Sequence, residues 1–488
     1  MNSPSAPSIP VPSARPPPSH RRFVSPAVES HIDAVCARLH NTNLETLFRN
    51  SFPNTLDTTV DFCGIDPADG LLDTFLVTGD IPALWLRDSA NQVAPYLPLL
   101  ASGAEDSESL RTLVLGLVYR QAKCVAAFPY ANAFKRDGGQ KGMWDGDAVT
   151  PDVPQGSVVW EAKWEVDSLA AFFKLSNAYH RHKRSSPFID PAHPIWLAAV
   201  ERALAVLREQ QRGSMEEAEL AQPAYRFARL TDRATDTLAM DGGGWPAARC
   251  GLVKSAFRPS DDASLLPFPI PANAMLCVEL RHLVELLNGV LATWNGETAR
   301  DYYTQLANAA KEATDLAEEV FEALAKWGVV KEEGEDMFAY EVDGFGNSYF
   351  MDDANIPSLL SLPYLGFCSR SDPTYVTTRQ RVLSPRNPYF FRGSAGEGVG
   401  GPHVGMGWIW PMSIAVRSLT SENADEVREC LHAIVRTQAG TGLVHEAFWK
   451  DDPNRFTRSW FAWGCSLVGE MIVDALERFP ALFEEGRT

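Results

Sequence analysis

Two adjacent carboxylates, Asp261 and Asp262, close the stretch Phe257-Arg-Pro-Ser-Asp-Asp262. Ser-Asp-Asp is a common way to cap a helix, since these side chains satisfy the first free backbone N–H groups. Here Pro267, Pro269 and Pro271 follow, and proline inside a helix removes a hydrogen bond and clashes with the preceding turn. Helical periodicity starts only near Ala272, so the pair belongs to a proline-braced loop that can aim a side chain. A further carboxylate, Glu446, lies in the connector after the Gly440-Thr-Gly442 break, beside His445, Phe448 and Trp449. Two carboxyls from separate loops are what glycosidic-bond cleavage needs: one protonates the leaving oxygen, and the other attacks the anomeric carbon or activates water. Aromatic packing raises a carboxyl pKa and a cation such as Arg258 lowers it, so two acids can be poised differently at one pH.

Other connectors carry a matching set of groups. Asp80, Trp85, Arg87 and Asp88 fall in one; Trp160, Trp164, Glu165 and Asp167 in the next; then Asp352, Asp353 and Asn355; then His403, Trp408 and Trp410. Trp144 and Trp245 lie in other Gly-rich loops, and only Trp196, Trp294 and Trp327 sit on ordinary helical patterns. Tryptophan in a bland helical protein belongs on buried helix faces. Its gathering with Asp, Asn, Arg and His in loops suits a sugar, whose apolar face stacks on indole and whose hydroxyls need polar partners. Structural roles compete for some of these residues: Arg87-Asp88 as an ion pair at a helix start, and Asp352 and Asp353 as helix caps. His403 has only the distant His445 as a histidine partner, which favours hydroxyl binding over a metal site. No G-x-S-x-G elbow supports serine catalysis.

The elements that must carry these loops are mostly helical. Apolar residues recur at three and four along roughly 30–52, 89–100, 107–128, 164–183, 191–212, 272–294, 297–328, 356–366, 372–383, 407–420, 424–438 and 457–478. Short extended pieces fit 72–78, 225–238 and 336–350, the last with an Asp343-Gly-Phe-Gly346 turn. No strand–helix alternation or phosphate loop appears. Residues 1–26 are rich in Pro, Ser and Arg and are expected to be a disordered tail. Residues 27–488 read as a single helical domain, with the helices in pairs suggesting a closed ring. The 488 residues carry a formal net charge of −18, which disfavours nucleic acid and anionic membranes. No uncharged run is long enough to span a bilayer. The eight cysteines show no metal-type spacing. No hydrophobic signal segment and no N-x-Ser/Thr sequon occurs, which leans towards an intracellular protein.

Trp85-Leu-Arg-Asp-Ser89, Phe257-Arg-Pro-Ser-Asp-Asp262, Met351-Asp-Asp-Ala-Asn355, Gly405-Met-Gly-Trp-Ile-Trp410 and His445-Glu446 together resemble glycoside hydrolase family 125, over nearly the whole chain from about residue 30. The resemblance implies an all-α (α/α)6 barrel, with a few short strands in the loops of the active face. It also implies an inverting exo-α-1,6-mannosidase that uses no metal or cofactor and acts on a mannose-containing oligosaccharide. The acid would be Asp261 or Asp262 and the base Glu446, with Arg87, Asp88, Asp352, Asp353, His403 and Trp410 lining the subsite for the terminal sugar. Asp80, Trp85, Trp164, Arg258, Asn355, Trp408 and His445 complete the candidate substrate-binding set. A monomer is expected.

Overall fold

The structure is a computed structural model describing residues 10–101, 106–139 and 146–484. Trp144 lies outside the described residues. Helices dominate, and the strands are short pieces in small two- and three-stranded sheets. Leu86–Val93, Val166–Lys183 and Ile270–Leu291 pack one against the next, and Pro411–Leu419 packs on Ala462–Arg478, which returns against Leu86–Val93. Behind these lie Glu108–Ala127, Ile195–Glu209, Arg300–Trp327 and Ala424–Arg436, each pairing with its neighbour in sequence or space. The reason is visible in the residues: the first set is buried nearly all round, whereas Arg300–Trp327 buries only a stripe such as Leu306, Ala310, Ala313, Ala317, Val320 and Leu324. One continuous apolar core runs from Val11 to Phe483. Among the described residues no helix is long and apolar enough to cross a membrane.

Several expectations are corrected. The helix read over 30–52 is two, Pro26–Cys36 and Thr42–Ser51. Asn41 breaks them by accepting hydrogen bonds from the backbone N–H groups of Asn43 and Leu44. Residues 356–366 form turns rather than a helix: Pro363 has no N–H to give, Gly366 is left-handed at φ +81°, and the Asp352 carboxylate takes the N–H groups of Leu359 and Leu360. The extended piece at 225–238 shrinks to Arg226–Ala228, while Val60–Ile65, not anticipated, pairs antiparallel with Leu72–Leu76. The expected disordered tail is overturned for residues 10–26, residues 1–9 lying outside the described set. Val11 is buried, the N–H groups of Val11 and Ala14 donate to Asn43 and Asn50 at 3.0 Å, and Arg15 pairs with Glu29 and the buried Asp57. A proline-rich segment brings few N–H donors of its own, and Asn43, Asn50 and the backbone carbonyls of Leu56 and Asp57 take several of them.

Candidate active site

The helices Leu86–Val93, Val166–Lys183, Pro411–Leu419 and Ala462–Arg478 begin at Trp85, Glu165, Trp410 and Phe461, and no side chain caps any of these starts. Three of these four residues line one cavity, of about 480 Å³ including its mouth, together with Thr78, Asp80, Ile81, Arg87, Asp88, Pro259, Ser260, Asp261, Asn355, His403, Glu446 and Arg458. Helix N-termini carry partial positive charge, which favours a concentration of carboxylates there. Two small sheets brace the loops. Leu84–Trp85 pairs with Ala133–Phe134 and that with Val159–Glu161, gathering Trp85, Asn132 and Glu161. Trp408–Ile409 pairs with Phe448–Trp449, tying the His403 loop to the Glu446 loop. The glycine of Gly407-Trp408 is required there: its φ is +85°, and a Cβ would lie 2.4 Å from the Trp449 ring.

The loop carrying the paired aspartates is a tight turn. Asp261 N–H donates to the Arg258 carbonyl at 2.9 Å, Arg258 N–H donates to the Asp262 carbonyl at 2.8 Å, and Lys163 Nζ donates to the Asp261 carbonyl at 2.6 Å. Asp261 is left-handed at φ +64°, a conformation that a non-glycine residue holds only when its surroundings impose it. The turn separates the two carboxyls. Asp261 lines the cavity and is within reach of Arg87 at 3.7 Å, whereas Asp262 is buried behind it and faces His403 Nδ1 at 3.6 Å. Burial lowers the His403 proton affinity, but the Asp262 carboxylate outweighs it and raises the imidazole to about 9. His403 is therefore a cation at neutral pH.

Glu446 is 7% exposed and held at both oxygens: Thr457 Oγ1 donates to Oε2 at 2.9 Å and Arg458 Nε to Oε1 at 3.0 Å. Arg458 also pairs with Asp80. Arg87 is buried among acids, its Nη1 donating to Glu165 at 2.7 Å and Asp167 at 3.1 Å. Burial pushes the neighbouring Asp88 up to about 6. The indole N–H groups of Trp85 and Trp410 are buried and have no hydrogen-bond partner among the described residues. Buried donors of this kind are normally satisfied, so a ligand rich in hydroxyls suits them.

Of the residues singled out from sequence, Asp80, Trp85, Arg87, Asp88, Asp261, Asn355, His403, Trp410 and Glu446 meet at this cavity. The others do not line it. Trp164 is core, its indole N–H given to the Lys254 carbonyl at 2.8 Å. Arg258 is buried in an ion pair with Glu341 at 2.6 Å, so it props the aspartate loop from behind. Asp352 serves the turn at Leu359, as described. Asp353 accepts from Asn355 and holds it towards the cavity. Trp408 packs edge-on to Trp449 under the Arg455 guanidinium. His445 stacks on Phe456, with ring centroids 3.8 Å apart, and holds the Arg458 carbonyl from Nδ1. These side chains are polar or aromatic neighbours of site residues, and local sequence does not show which way each one turns.

Arg458 and Phe461, which also line the cavity, escaped the sequence reading, although Phe461 lies between two tryptophans, Trp460 and Trp463. A larger groove, about 1780 Å³, runs along Lys135, Asp147 to Ala162 and Arg226 to Ala228. It contains neither Asp261 nor Glu446, and it adjoins the cavity because Trp160 packs on the cluster of Ala83, Trp85 and Ala133. The carboxyls singled out from sequence, Asp261 and Glu446, meet in the smaller space. Among the described residues no three His, Cys, Asp or Glu side chains converge as metal ligands.

A mostly helical chain with a carboxylate-lined, indole-walled cavity is suited to a sugar, and comparison with known proteins places it further. Residues 41–473 match the family of metal-independent α-mannosidases, glycoside hydrolase family 125, and the chain belongs to that family. It is 44% identical over 97% of its length, and 90% of the relative's, to the Meiotically up-regulated gene 157 protein of Schizosaccharomyces pombe. It also superimposes with a TM-score of 0.82 on a Streptococcus pneumoniae metal-independent α-mannosidase, 34% identical, covering 93% of this chain and 99% of that one. That protein was solved in a non-productive substrate complex with α-1,6-mannobiose.

Proposed function

We propose that this protein is an inverting exo-α-1,6-mannosidase on an (α/α)6 helical toroid, and that Asp261 is its general acid and Glu446 its general base. The observation that carries the reading is the meeting of these two carboxyls, distant in sequence, at one small cavity. Arg87, Asp88, Asn355 and Trp410 line the cavity and are each nearly buried, which suits a single terminal sugar and supports exo action. The bacterial relative's α-1,6-mannobiose complex supports the linkage. In this mechanism Asp261 gives its proton to the departing oxygen as the anomeric C–O bond breaks. A water, its lone pair freed by transfer of a proton to Glu446, attacks the opposite face. Thr457 and Arg458 fix the Glu446 oxygens so that the lone pair left for water is aimed. Cationic His403, Asp88 and the two free indole N–H groups hold the sugar hydroxyls. Asp262 acts through His403.

Incubation with α-1,6-mannobiose, followed by NMR of the anomeric proton, tests the whole reading: β-mannose should appear first and then mutarotate. Glu446→Gln should lower turnover by about 10²–10⁴-fold while mannobiose binding, measured calorimetrically, stays nearly unchanged. Release of α-mannose first, phosphate-dependent release, or full activity in the variant overturns it.

A further inference from the structure

We infer that Glu165 is the hidden partner of Asp261: the two carboxyls share a single proton, and Glu165 is a positioning residue that keeps this proton within reach of the acid. This rests on Asp261 being the general acid. Glu165 is fully buried and does not line the cavity, yet its carboxyl and that of Asp261 meet at one side chain. A single amide nitrogen, Asn132 Nδ2, lies 3.2 Å from Glu165 Oε1, 3.1 Å from Asp261 Oδ1 and 3.1 Å from Glu161 Oε2. An amide has two hydrogens for these three oxygens. Two carboxyls can hydrogen-bond to each other only if one is protonated, and side by side in a buried site they cannot both ionise.

The surrounding charges agree. From Leu86–Val93, Arg87 and Asp88 face the pair; Asp167 and Ser168 face it from the helix that Glu165 begins; Glu161 and Lys163 approach from the strand side, and His403 from beyond Asp261. Four acids, Asp88, Glu165, Asp167 and Asp261, thus divide the one guanidinium of Arg87. Lys163 is shared with Glu161 at 3.8 Å and Asp236 at 3.3 Å, and His403 is neutralised by Asp262. Burial, opposed by Arg87 and reinforced by Asp261, holds Glu165 well above the ordinary carboxyl range. Asp261 is about a quarter exposed (24%) to the cavity; its partial burial raises it, but Arg87 and Lys163 outweigh that and hold it below its ordinary value. The pair titrates as a unit, with the proton resting on Glu165.

The proton balance follows. As the leaving group enters, Glu165 passes its proton to the Asp261 carboxylate, and Asp261 passes it to the glycosidic oxygen as the C–O bond breaks. Water supplies hydroxyl to the anomeric carbon and its other proton to Glu446. Glu446 then releases that proton to solvent, and the dyad takes one back.

The test compares wild type, Glu165→Gln and Asp261→Asn on α-1,6-mannobiose, whose leaving group needs a proton, and on α-mannosyl fluoride, whose leaving group needs little help. Glu165→Gln should lower kcat/KM on mannobiose at neutral pH by roughly 10²-fold and move its alkaline limb down by about one pH unit or more, with fluoride hydrolysis nearly unchanged. Glu165→Asp should restore the limb. Equal loss on both substrates, or an unmoved limb, overturns the shared proton and leaves Glu165 a structural ligand of Arg87. If instead Asp261→Asn loses both substrates equally, the assignment of the acid fails, which is a separate outcome. Neutron diffraction of the wild type at neutral pD needs no folded variant: a deuteron between the two carboxyls supports the dyad, and its absence sinks it.

Discussion

Asp262→Asn should loosen the proton that His403 holds and reveal how the second aspartate of the pair works. The carboxylate lies 3.6 Å from His403 Nδ1, and the imidazole stands near 9 against an ordinary 6.5, a rise of 9 − 6.5 = 2.5 pH units. Taken whole, that would be about 3.4 kcal/mol at 1.36 kcal/mol per unit. His403 is 28% exposed, so water screens part of the attraction, and about 1.5–3 kcal/mol is the realistic range. Because the folded-state value is raised above the unfolded one, this stabilisation is fully present below pH 6.5 and is lost as pH rises through about 9. In Asp262→Asn the burial cost remains, while Asp261 and Glu446 still attract the cation. The imidazole should therefore fall by about 1–2 units rather than collapse. Titration of the His403 Cε1–H resonance, assigned with His403→Gln, measures the shift directly. Denaturant unfolding between pH 6 and 10 should show the variant's deficit greatest at pH 6 and shrinking towards pH 10. A wild-type His403 that titrates near 6.5, or a deficit that does not change with pH, would refute the ion-pair argument.

Other outcomes follow from the same geometry. Arg87→Met should unfold about 3–5 kcal/mol more easily in denaturant titration, because it leaves the buried acids Asp88 and Asp167 without their cation. A loss under 1 kcal/mol would mean those acids are already neutral without it. Asp352→Ala should cost about 2–3 kcal/mol by orphaning the N–H groups of Leu359 and Leu360, yet leave KM for mannobiose nearly unchanged. A large rise in KM would return Asp352 to the sugar site.

The loops that line the cavity were legible because they combine residue types that ordinary helix connectors seldom bring together. Indole rings gathered with Asp, Arg and His between helices, and prolines stopped Phe257–Asp262 from being a helix cap. Long amphipathic helices were legible for the same local reason, since Arg300–Trp327 writes its buried stripe into every third or fourth residue. What local pattern could not decide was direction. Asp261 and Asp262 are chemically identical and adjacent; only a left-handed backbone at Asp261, imposed by Lys163 and the Arg258 turn, turns one into the cavity and the other onto His403. Trp164 and Trp410 follow equally suggestive motifs, yet one fills the core because the Lys254 carbonyl takes its N–H. Residues 10–26 look disordered by composition, and partners such as Asn43, Asn50 and Asp57 hold them in place. Sequence determined which groups were present and which segments could coil, because propensity and periodicity act over a few residues. Tertiary structure decided which carboxyls face one cavity and which lie buried together, because burial and charge are sums over neighbours that the chain brings together only when folded.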